Sequence, residues 1–389
     1  MKKIGILILI SFYIAIGCGS GNNEGEGLII GHSIPVKDAH LEAAIREALF
    51  LSDADALTVQ KGLTLTSLDA RRREITDLEG IEYFKNLEIL NLQENNIYDL
   101  MPLHSLYNLQ ELNLTSNAIQ DITPLAHLTN LTELELGDNN ISNIQSLAPL
   151  TQLTELSLEA NDIKDVEVLE DLPALTELAL GDNKITDIES LKFLTQLTKL
   201  SLEANTIENV TALKNLTSLV SLNLDYNYNV TDISPLENLP ALRSLSLAGM
   251  YIEKNLHLLT NFTQLTSLDL DKSFITDITP LSELPKLTSL NLEGTSIDDI
   301  SPLAYMNNIT VLNIRNNNIR DISTLRTLIN LSVLNIECND IEDISPLLLL
   351  SNLKMVDLRD NSLDSEDCST IRMLEINKRV SVISDLECE

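Results

Sequence analysis

The sequence predicts an α/β solenoid, in which a parallel sheet lines the concave side and 3₁₀ or short helical segments form the convex side. The first observation is a twenty-two-residue pattern that recurs from residue 65 to residue 363, in about fourteen units. The second is that each unit carries apolar residues at its positions 1, 4, 6, 11, 14, 17 and 20. One unit cannot bury so many apolar side chains alone, so successive units must stack on each other.

The unit that begins at Leu109 shows how these positions divide between the two sides. Leu112 and Leu114 alternate with polar residues, which is the period of a strand with positions 3, 5 and 7 facing outward. From Ile119 to Leu128 the apolar residues return every three residues, which suits a 3₁₀ or short helical segment. The L-x-x-L-x-L-x-x-N-x-L skeleton is that of a leucine-rich repeat horseshoe. Such a fold offers a binding surface rather than a catalytic cleft.

An asparagine occupies position 9 of most units, where the chain turns inward. A short amide there can satisfy a buried backbone donor and a buried acceptor, so these residues are predicted to form a structural ladder. The aspartates of the Ile-Thr-Asp-Ile sequences, such as Asp187, are predicted to cap the convex segments. The ladder residues are Asn95, Asn117, Asn139, Asn161, Asn183, Asn205, Asn317, Asn339 and Asn361.

Residues 226–295 are the irregular part of the solenoid. The eighth and ninth units are each one residue longer than the others, and Met250, Ser273 and Thr295 replace the asparagine. One interpretation is drift that the stack tolerates, since a lost ladder partner costs about one hydrogen bond. The other is a bend or an insertion that shapes a binding surface.

Residues 1–17 are predicted to be a bacterial lipoprotein signal peptide. Two lysines are followed by an apolar run that is too short for a membrane-spanning helix. Ala15-Ile16-Gly17-Cys18 resembles the lipobox, in which cleavage precedes a cysteine that carries a diacylglycerol thioether. Residues 18–35 are predicted to be a flexible tether, so that the lipid anchors an exported protein. The alternative is an ordinary secretory signal in which the cysteine occurs by chance.

Residues 36–64 and 364–389 are predicted to cap the two ends of the repeat region at 65–363. The first cap contains an amphipathic helix with Asp38 as its N-cap, because an uncovered terminal unit would aggregate. In the second cap, Cys368 and Cys388 are predicted to form a disulfide, since exported proteins permit such bonds. The alternative is two free thiols. A closing helix and a short final strand at 380–383 complete this cap.

The chain carries 26 Lys and Arg against 58 Asp and Glu, for a net charge of −32. Such a protein avoids nucleic acid, because affinity there depends on cationic contacts to phosphate. An anionic lipid surface would repel it as well, which makes a covalent lipid anchor useful.

Acidic residues dominate the positions that face the concave side. Glu111, Glu133, Glu155 and Glu177 share position 3 of successive units, so strands roughly 4.8 Å apart would place them in a like-charge column. Three interpretations fit: a face that attracts a basic protein partner, an oxygen-rich site for calcium, or charge that only maintains solubility. Toward the C-terminal end the face becomes apolar with cationic residues beside it, and either contacts a partner or lies under the closing cap. The predicted partner-binding residues are Glu111, Glu133, Glu135, Glu155, Glu159, Glu177, Glu203, Asp225, Tyr226, Asp269, Asp271, Glu293, Val311, Arg315, Val333 and Met355.

The sequence offers no catalytic constellation. Its five His are scattered without metal-ligand spacing, and it has no glycine-rich phosphate loop and no Gly-x-Ser-x-Gly turn. An Asp-x-Asp-x-Asp-Gly calcium loop is missing too. We therefore expect a monomer that is not an enzyme and uses no cofactor or resident metal.

The signature Asn-x-Ile-x-Asp-Ile-x-Pro-Leu, with the period and the helical N-cap, resembles the internalin type of bacterial leucine-rich repeat protein over residues 36–363. The resemblance implies protein binding on the concave sheet, in adhesion or host interaction. The immunoglobulin-like segment and the LPxTG motif of that family are not found, so surface attachment is expected from Cys18. The combined prediction is a lipid-anchored protein at the bacterial cell surface that binds a protein partner. The alternative is a calcium- or carbohydrate-binding envelope module.

Overall fold

The computed structural model describes residues 31–388, so the predicted signal peptide, Cys18 and most of the tether lie outside the described residues. Within that range all strands form one sheet in sequence order, and each neighbouring pair is parallel, with Leu112 opposite Leu134, for example. This arrangement confirms the predicted parallel concave sheet. No helix among these residues is long and apolar enough to cross a membrane. The strands, β1–β15 in chain order, are Ser67–Asp69, Ile89–Asn91, Glu111–Asn113, Glu133–Glu135, Glu155–Ser157, Glu177–Ala179, Lys199–Ser201, Ser221–Asn223, Ser244–Ser246, Ser267–Asp269, Ser289–Asn291, Val311–Asn313, Val333–Asn335, Met355–Asp357 and Ser381–Ile383.

Short 3₁₀ segments on the opposite side carry the chain from each strand to the next. Near their starts an Asp or Asn side chain accepts a backbone N–H two residues later, as Asp187 Oδ1 does from Glu189 at 2.9 Å. The aspartates therefore have the capping role that was predicted. The segments are Ile81–Tyr83, Met101–Leu103, Thr123–His127, Gln145–Leu147, Glu167–Asp171, Glu189–Phe193, Thr211–Asn215, Ser234–Leu236, Glu253–Asn261, Thr279–Glu283, Ser301–Tyr305, Ser323–Thr327 and Ser345–Leu349.

A continuous apolar core runs between the sheet and the 3₁₀ segments. In the unit that begins at Leu109, the side chains of Leu112, Leu114 and Ile119 are buried, and the same positions are buried in the neighbouring units. Full burial of one such side chain contributes about 1.5–3 kcal/mol. Because no single unit encloses these side chains, contacts between units hold the fold together.

The asparagine ladder lies between the sheet and the turns, and Asn161 illustrates its geometry. The Nδ2 group of Asn161 donates to the carbonyl oxygens of Leu136, Leu158 and Glu159 at 3.0, 3.1 and 3.1 Å. Its Oδ1 atom accepts the N–H of Ile141 at 2.9 Å. Each amide thus bonds both to its own unit and to the unit before it, which is the structural role that was predicted.

The ladder extends one unit further than predicted. Asn227 is fully buried, and its Nδ2 group donates to a backbone carbonyl of the preceding unit at 2.9 Å. In the next three units a buried Met250 and the hydroxyls of Ser273 and Thr295 take the place of the amide. The strands of these units stay in register, so the sheet tolerates the irregular stretch without a break.

Two helices cover the first unit: α1 (Ala39–Ala48) and α2 (Val59–Gly62). Asp38 accepts the N–H groups of His40 and Leu41 at 2.9 and 3.1 Å and so caps α1. The apolar face of α1 buries Leu41 and Ile45 against the core, which is how the open end of the solenoid is closed.

The other end is closed by α3 (Cys368–Arg372), a π-helical turn (Met373–Asn377) and β15, which pairs with β14. Ile371 and Leu374 are buried beneath the last unit. A disulfide joins Cys368 to Cys388, with the two Cα atoms 5.3 Å apart. The cap therefore extends the sheet by one strand and has a covalent link within itself.

Candidate functional site

A column of carboxylates stands on the concave face of β3–β6. Glu111, Glu133, Glu155 and Glu177 are directly opposite one another in register, and all four are half-buried. Partial burial, and then the charges of Glu111 and Glu155, raise the pKa of Glu133. The column ends at Lys199, whose Nζ atom lies 2.7 Å from a carboxylate oxygen of Glu177. Within the part of the chain that the structure describes, the other three carboxylates form no ion pair, although the charge of Lys199 also acts on Glu155.

A second group of carboxylates lies beside this column and is more deeply set. Burial raises the pKa of Glu135, Glu159 and Asp225, and the charge of Glu203 raises the pKa of Glu159 further. The Glu203 carboxylate leans over Gly181 and occupies the space that a Cβ atom would need there. Burial is the largest cause of these pKa shifts, and the charges of neighbouring carboxylates add to it.

Between the two acidic groups the sheet has a depression of about 380 Å³ across β5–β8. Ser157, Ala179 and Ser201 form its floor, while Glu155 and Glu177 stand on its rim. Position 5 carries an Asn or Asp in most units, whereas these three adjacent units have only a small residue there, which leaves the space open. The sequence analysis did not identify this depression, although the small residues at position 5 are a visible signal.

The C-terminal part of the face carries the predicted apolar column. Val311, Val333 and Met355 lie opposite one another in β12–β14. Val311 and Met355 are each 40% exposed. The closing cap therefore does not cover this column, and contact with a partner there stays a prediction.

The two arginines beside this column, Arg315 and Arg359, lie against carboxylates. Arg315 lies 3.6 Å from Glu293 and 3.1 Å from Glu337, and Arg359 lies 3.2 Å from Glu337. Arg359 also makes a 2.6 Å ion pair with Asp357. Because each guanidinium faces at least one carboxylate, this edge is an internally neutralised network rather than a free cationic surface.

The predicted acidic residues of the middle units also differ from one another. Asp269 accepts two hydrogen bonds from the Nδ2 group of Asn291 at 2.9 and 3.0 Å. Asp271 pairs with Lys272 at 3.0 Å, and the Tyr226 hydroxyl lies 3.4 Å from its carboxylate. These two aspartates are therefore held by local partners, and the unpaired acidic surface is confined to the N-terminal half of the face.

Aromatic side chains gather at the irregular units. Tyr226 and Tyr228 have ring centroids 6.2 Å apart, and Tyr251 stacks on Phe274 at 4.5 Å. Tyr228, Tyr251 and Phe274 are each more than half exposed. They occupy position 10 of three successive units, and no other unit has an aromatic residue there. The sequence analysis did not name Phe274 as a candidate partner-binding residue.

One group of side chains could present ligand atoms to a metal ion. One ligand atom each from Glu337, Cys338 and Asp360 lie within 4.8 Å of one another. Burial, and then a hydrogen bond to Asp360, raise the pKa of the Cys338 thiol. The thiol is thereby held in its protonated form, which is a poor metal ligand.

Comparisons with known proteins agree with this geometry. Residues 64–308 match the model of the leucine-rich repeat region. An internalin from Listeria monocytogenes is 32% identical, with 91% of this chain and 96% of that chain covered and a TM-score of 0.69. Internalin C2 from the same organism is also 32% identical, covering 55% of this chain and 94% of that chain with a TM-score of 0.53. A leucine-rich repeat protein from Leptospira interrogans shares the fold at 20% identity, covering 83% and 97% with a TM-score of 0.65. No curated protein matched the sequence.

Proposed function

Because this chain belongs to the leucine-rich repeat family, and is similar to a Listeria internalin over nearly its whole length, we propose that it is a non-enzymatic protein-binding lipoprotein of the bacterial cell surface. Its partner is a protein that docks on the concave sheet, in adhesion or host interaction. The leucine-rich repeat fold typically serves as an interaction scaffold, which agrees with a binding role.

The observation that carries the proposal is the register of Glu111, Glu133 and Glu155 on an open sheet, where none of the three forms an ion pair among the described residues. Like charges held opposite each other destabilise the sheet, and a cationic partner would relieve that repulsion. Such a face also accelerates the approach of a basic protein by electrostatic attraction. The partner is therefore expected to be basic.

A charge-reversal experiment tests the face. The double variant Glu133→Lys and Glu155→Lys should reduce capture of partner proteins from host matrix and bacterial envelope extracts at least tenfold. The matched control is Glu170→Lys with Glu208→Lys, which changes the net charge equally at exposed positions outside the strands. Capture should also weaken as salt is raised. Equal capture by both double variants would reject the acidic face.

The lipid anchor is tested separately. The proposal rests on the Gly17-Cys18 pair that follows the apolar run in the sequence. Mass spectrometry of the mature N-terminus should find diacylglycerol on Cys18, and Cys18→Ala should release the protein from membranes. An unmodified Cys18 in membrane fractions would reject the lipoprotein part of the proposal and leave the binding face untouched.

A calcium- or carbohydrate-binding envelope module is the second candidate. The observation in its favour is the cluster of carboxylates that includes Glu135, Glu159 and Glu203, because calcium prefers oxygen ligands. Calorimetry and thermal melting with calcium, and with neutral oligosaccharides, test this candidate. Absence of heat and of a thermal shift would exclude it.

A further inference from the structure

A hydrogen bond that recurs in most units fixes the backbone at position 7 of the concave strands. The Asn or Asp at position 5 accepts the N–H two residues later, as Asn113 Oδ1 does from Thr115 at 3.0 Å. In the ninth unit, where position 5 is Ser246, Asp225 reaches across and accepts the N–H of Ala248 at 2.6 Å. The acceptors within their own unit are Asp69, Asn91, Asn113, Asn223, Asp269, Asn291, Asn313, Asn335 and Asp357.

Four consecutive units lack this hydrogen bond. Their position-5 residues are Glu135, Ser157, Ala179 and Ser201, none of which accepts the N–H two residues later. Among residues 31–388, the corresponding backbone N–H groups have no hydrogen-bond acceptor in the protein. These four N–H groups, which we call the open amide row, belong to Gly137, Glu159, Gly181 and Glu203.

The open amide row borders the depression across β5–β8. Its donors lie two residues after Glu135, Ser157, Ala179 and Ser201, and these four position-5 residues all line the depression. Successive donors are separated by one strand spacing, roughly 4.8 Å. An N–H group without an acceptor costs free energy unless water or a ligand supplies one. The depression therefore combines space with a line of unused donors.

The surrounding charge restricts which ligand can use those donors. Glu135, Glu159 and Glu203 lie close enough that the charges of the other two raise the pKa of Glu159. Lys199 also lines the depression, but it is paired with Glu177 at 2.7 Å, so the carboxylates still make the site negative and would repel an anionic acceptor such as phosphate. A neutral sugar offers acceptors but no positive charge to offset the carboxylates. A polypeptide with Arg or Lys side chains supplies carbonyl oxygens for the N–H groups and cations for the carboxylates.

We propose that the depression binds an extended segment of a basic protein, whose main-chain carbonyls accept hydrogen bonds from the open amide row. This inference rests on the proposed function and specifies which groups of the same face would recognise the partner. Ser157, Ala179 and Ser201 determine specificity. An Asn at any of these positions would itself accept the N–H two residues later, so that N–H could no longer bind the segment. Arg or Lys side chains of the segment lie between Glu135, Glu159 and Glu203.

The test restores the missing acceptor without changing charge. Ala179→Asn should weaken binding of a capped peptide of alternating Arg and Gly by roughly three- to tenfold, the range for loss of one hydrogen bond. Ala179→Ser should leave affinity unchanged, since Ser at neighbouring positions leaves the N–H open. Ser289→Asn is the distant control, because it adds the same side chain to the concave face in β11. Circular dichroism checks that each variant folds.

Spermine separates hydrogen bonding from charge, because it carries cations but no carbonyl oxygen. Its binding should be insensitive to Ala179→Asn. With ¹⁵N-glycine labelling, the chain gives signals from only 13 glycines. The peptide should protect the Gly137 and Gly181 amides from hydrogen exchange, and spermine should not.

Each contrary result has a distinct meaning. If Ala179→Asn leaves peptide affinity unchanged and neither amide is protected, the open amide row is not a binding element. If charge reversal at Glu133 and Glu155 still abolishes capture in that case, the proposed function stands without this inference. If a neutral oligosaccharide protects the two amides and the peptide does not, the ligand is a sugar and the peptide assignment is overturned.

Discussion

At the scale of single residues, two kinds of polar side chain differ in how fully they are hydrogen-bonded. The position-9 amides are saturated: Asn183 donates to three carbonyls and accepts the N–H of Ile163. The concave carboxylates Glu133 and Glu155 have no such fixed partners among the described residues. Saturated groups hold the fold, while groups with spare bonding capacity are available to a ligand.

Loss of one ladder asparagine should lower the stability of the fold. Asn183→Ala removes three hydrogen bonds to carbonyls that each keep another donor, and it leaves the buried N–H of Ile163 without its acceptor. We therefore expect a loss of about 2 kcal/mol in the free energy of unfolding. Urea unfolding measures the change. Asn140→Ala, at an exposed position of the neighbouring unit, should cost less than about 0.5 kcal/mol. Equal effects would contradict the structural role of the ladder.

The concave carboxylates should make stability depend on pH in an unusual direction. The pKa values of Glu133, Glu135 and Glu159 are raised by burial and then by neighbouring charges. The folded state therefore binds more protons than the unfolded state just above the ordinary Glu pKa of 4.5, and stability falls as pH rises through that window. We expect the melting temperature to increase from pH 7 to about 5.

The opposite effect takes over at lower pH. Hydrogen bonds from the backbone of Ser234 and Ser323 lower the pKa of Asp232 and Asp321, so their contribution is lost as pH falls below about 3.8. The double variant Glu135→Gln and Glu159→Gln should lose part of the rise between pH 7 and 5 and keep the fall below 4. A melting temperature that declines steadily from pH 7 would contradict the raised pKa values.

The role of a residue could be predicted where the same residue type recurs at one position of the repeat. It could not be predicted where it depends on contacts between side chains of different units. The ladder follows from an amide at a fixed place in an apolar pattern, and all nine predicted members take part. The ion pairs of Arg315 could not be predicted, because only the folded register brings Glu293 and Glu337 beside it. The open amide row was not predicted, because the hydrogen bond between the position-5 side chain and the backbone N–H two residues later is known only from the structure.

At the scale of elements, the two ends of the solenoid are covered by different structures. α1 covers the first unit with an apolar face, whereas the last unit is covered by α3, a π-helical turn and β15. Both caps were expected from departures in the repeat pattern, since a terminal unit without a neighbour exposes its core. The position of β15 at the edge of the sheet, paired to Met355–Asp357, needed the structure because strand partners cannot be read from three residues.

The C-terminal cap should depend on its disulfide. The bond spans 20 residues, so removing it by Cys388→Ser should cost roughly 3 kcal/mol in the stability of the cap. Limited proteolysis should then cut within residues 364–388 before the repeats. Reductant should produce the same change in the wild type and none in the variant. Equal protease resistance of the two proteins would show that packing of Ile371 and Leu374 alone is sufficient.

At the scale of the whole molecule, strand pairs and ladder hydrogen bonds connect successive units, while a contact such as Tyr226 with Asp271 reaches one unit further. Every strand pairs with its two neighbours in sequence, and the ladder amides bond no further than the preceding unit. Stability is therefore close to a sum over units and their interfaces. The fold class and its approximate extent were predictable for the same reason, because a local pattern repeated along the chain contains nearly all of the topology.

Deletion of one complete unit should preserve the fold. Removing residues 109–130 joins two regular units in register, so we expect an unchanged shape of the circular dichroism spectrum and a single unfolding transition. Removing residues 109–119 is the control, because it deletes the strand Glu111–Asn113 but keeps the convex half of the unit, and it should unfold the local stack. Aggregation of the full-unit deletion would contradict the additive description.

The alternation along each strand has a consequence for how such a protein changes over time. Leucines at positions 4 and 6 point into the core, whereas positions 3, 5 and 7 reach solvent on the concave side. A substitution at those outer positions alters recognition while leaving the packing of its own unit intact. Binding specificity can therefore evolve through single substitutions in one unit after another, while every intermediate protein remains folded.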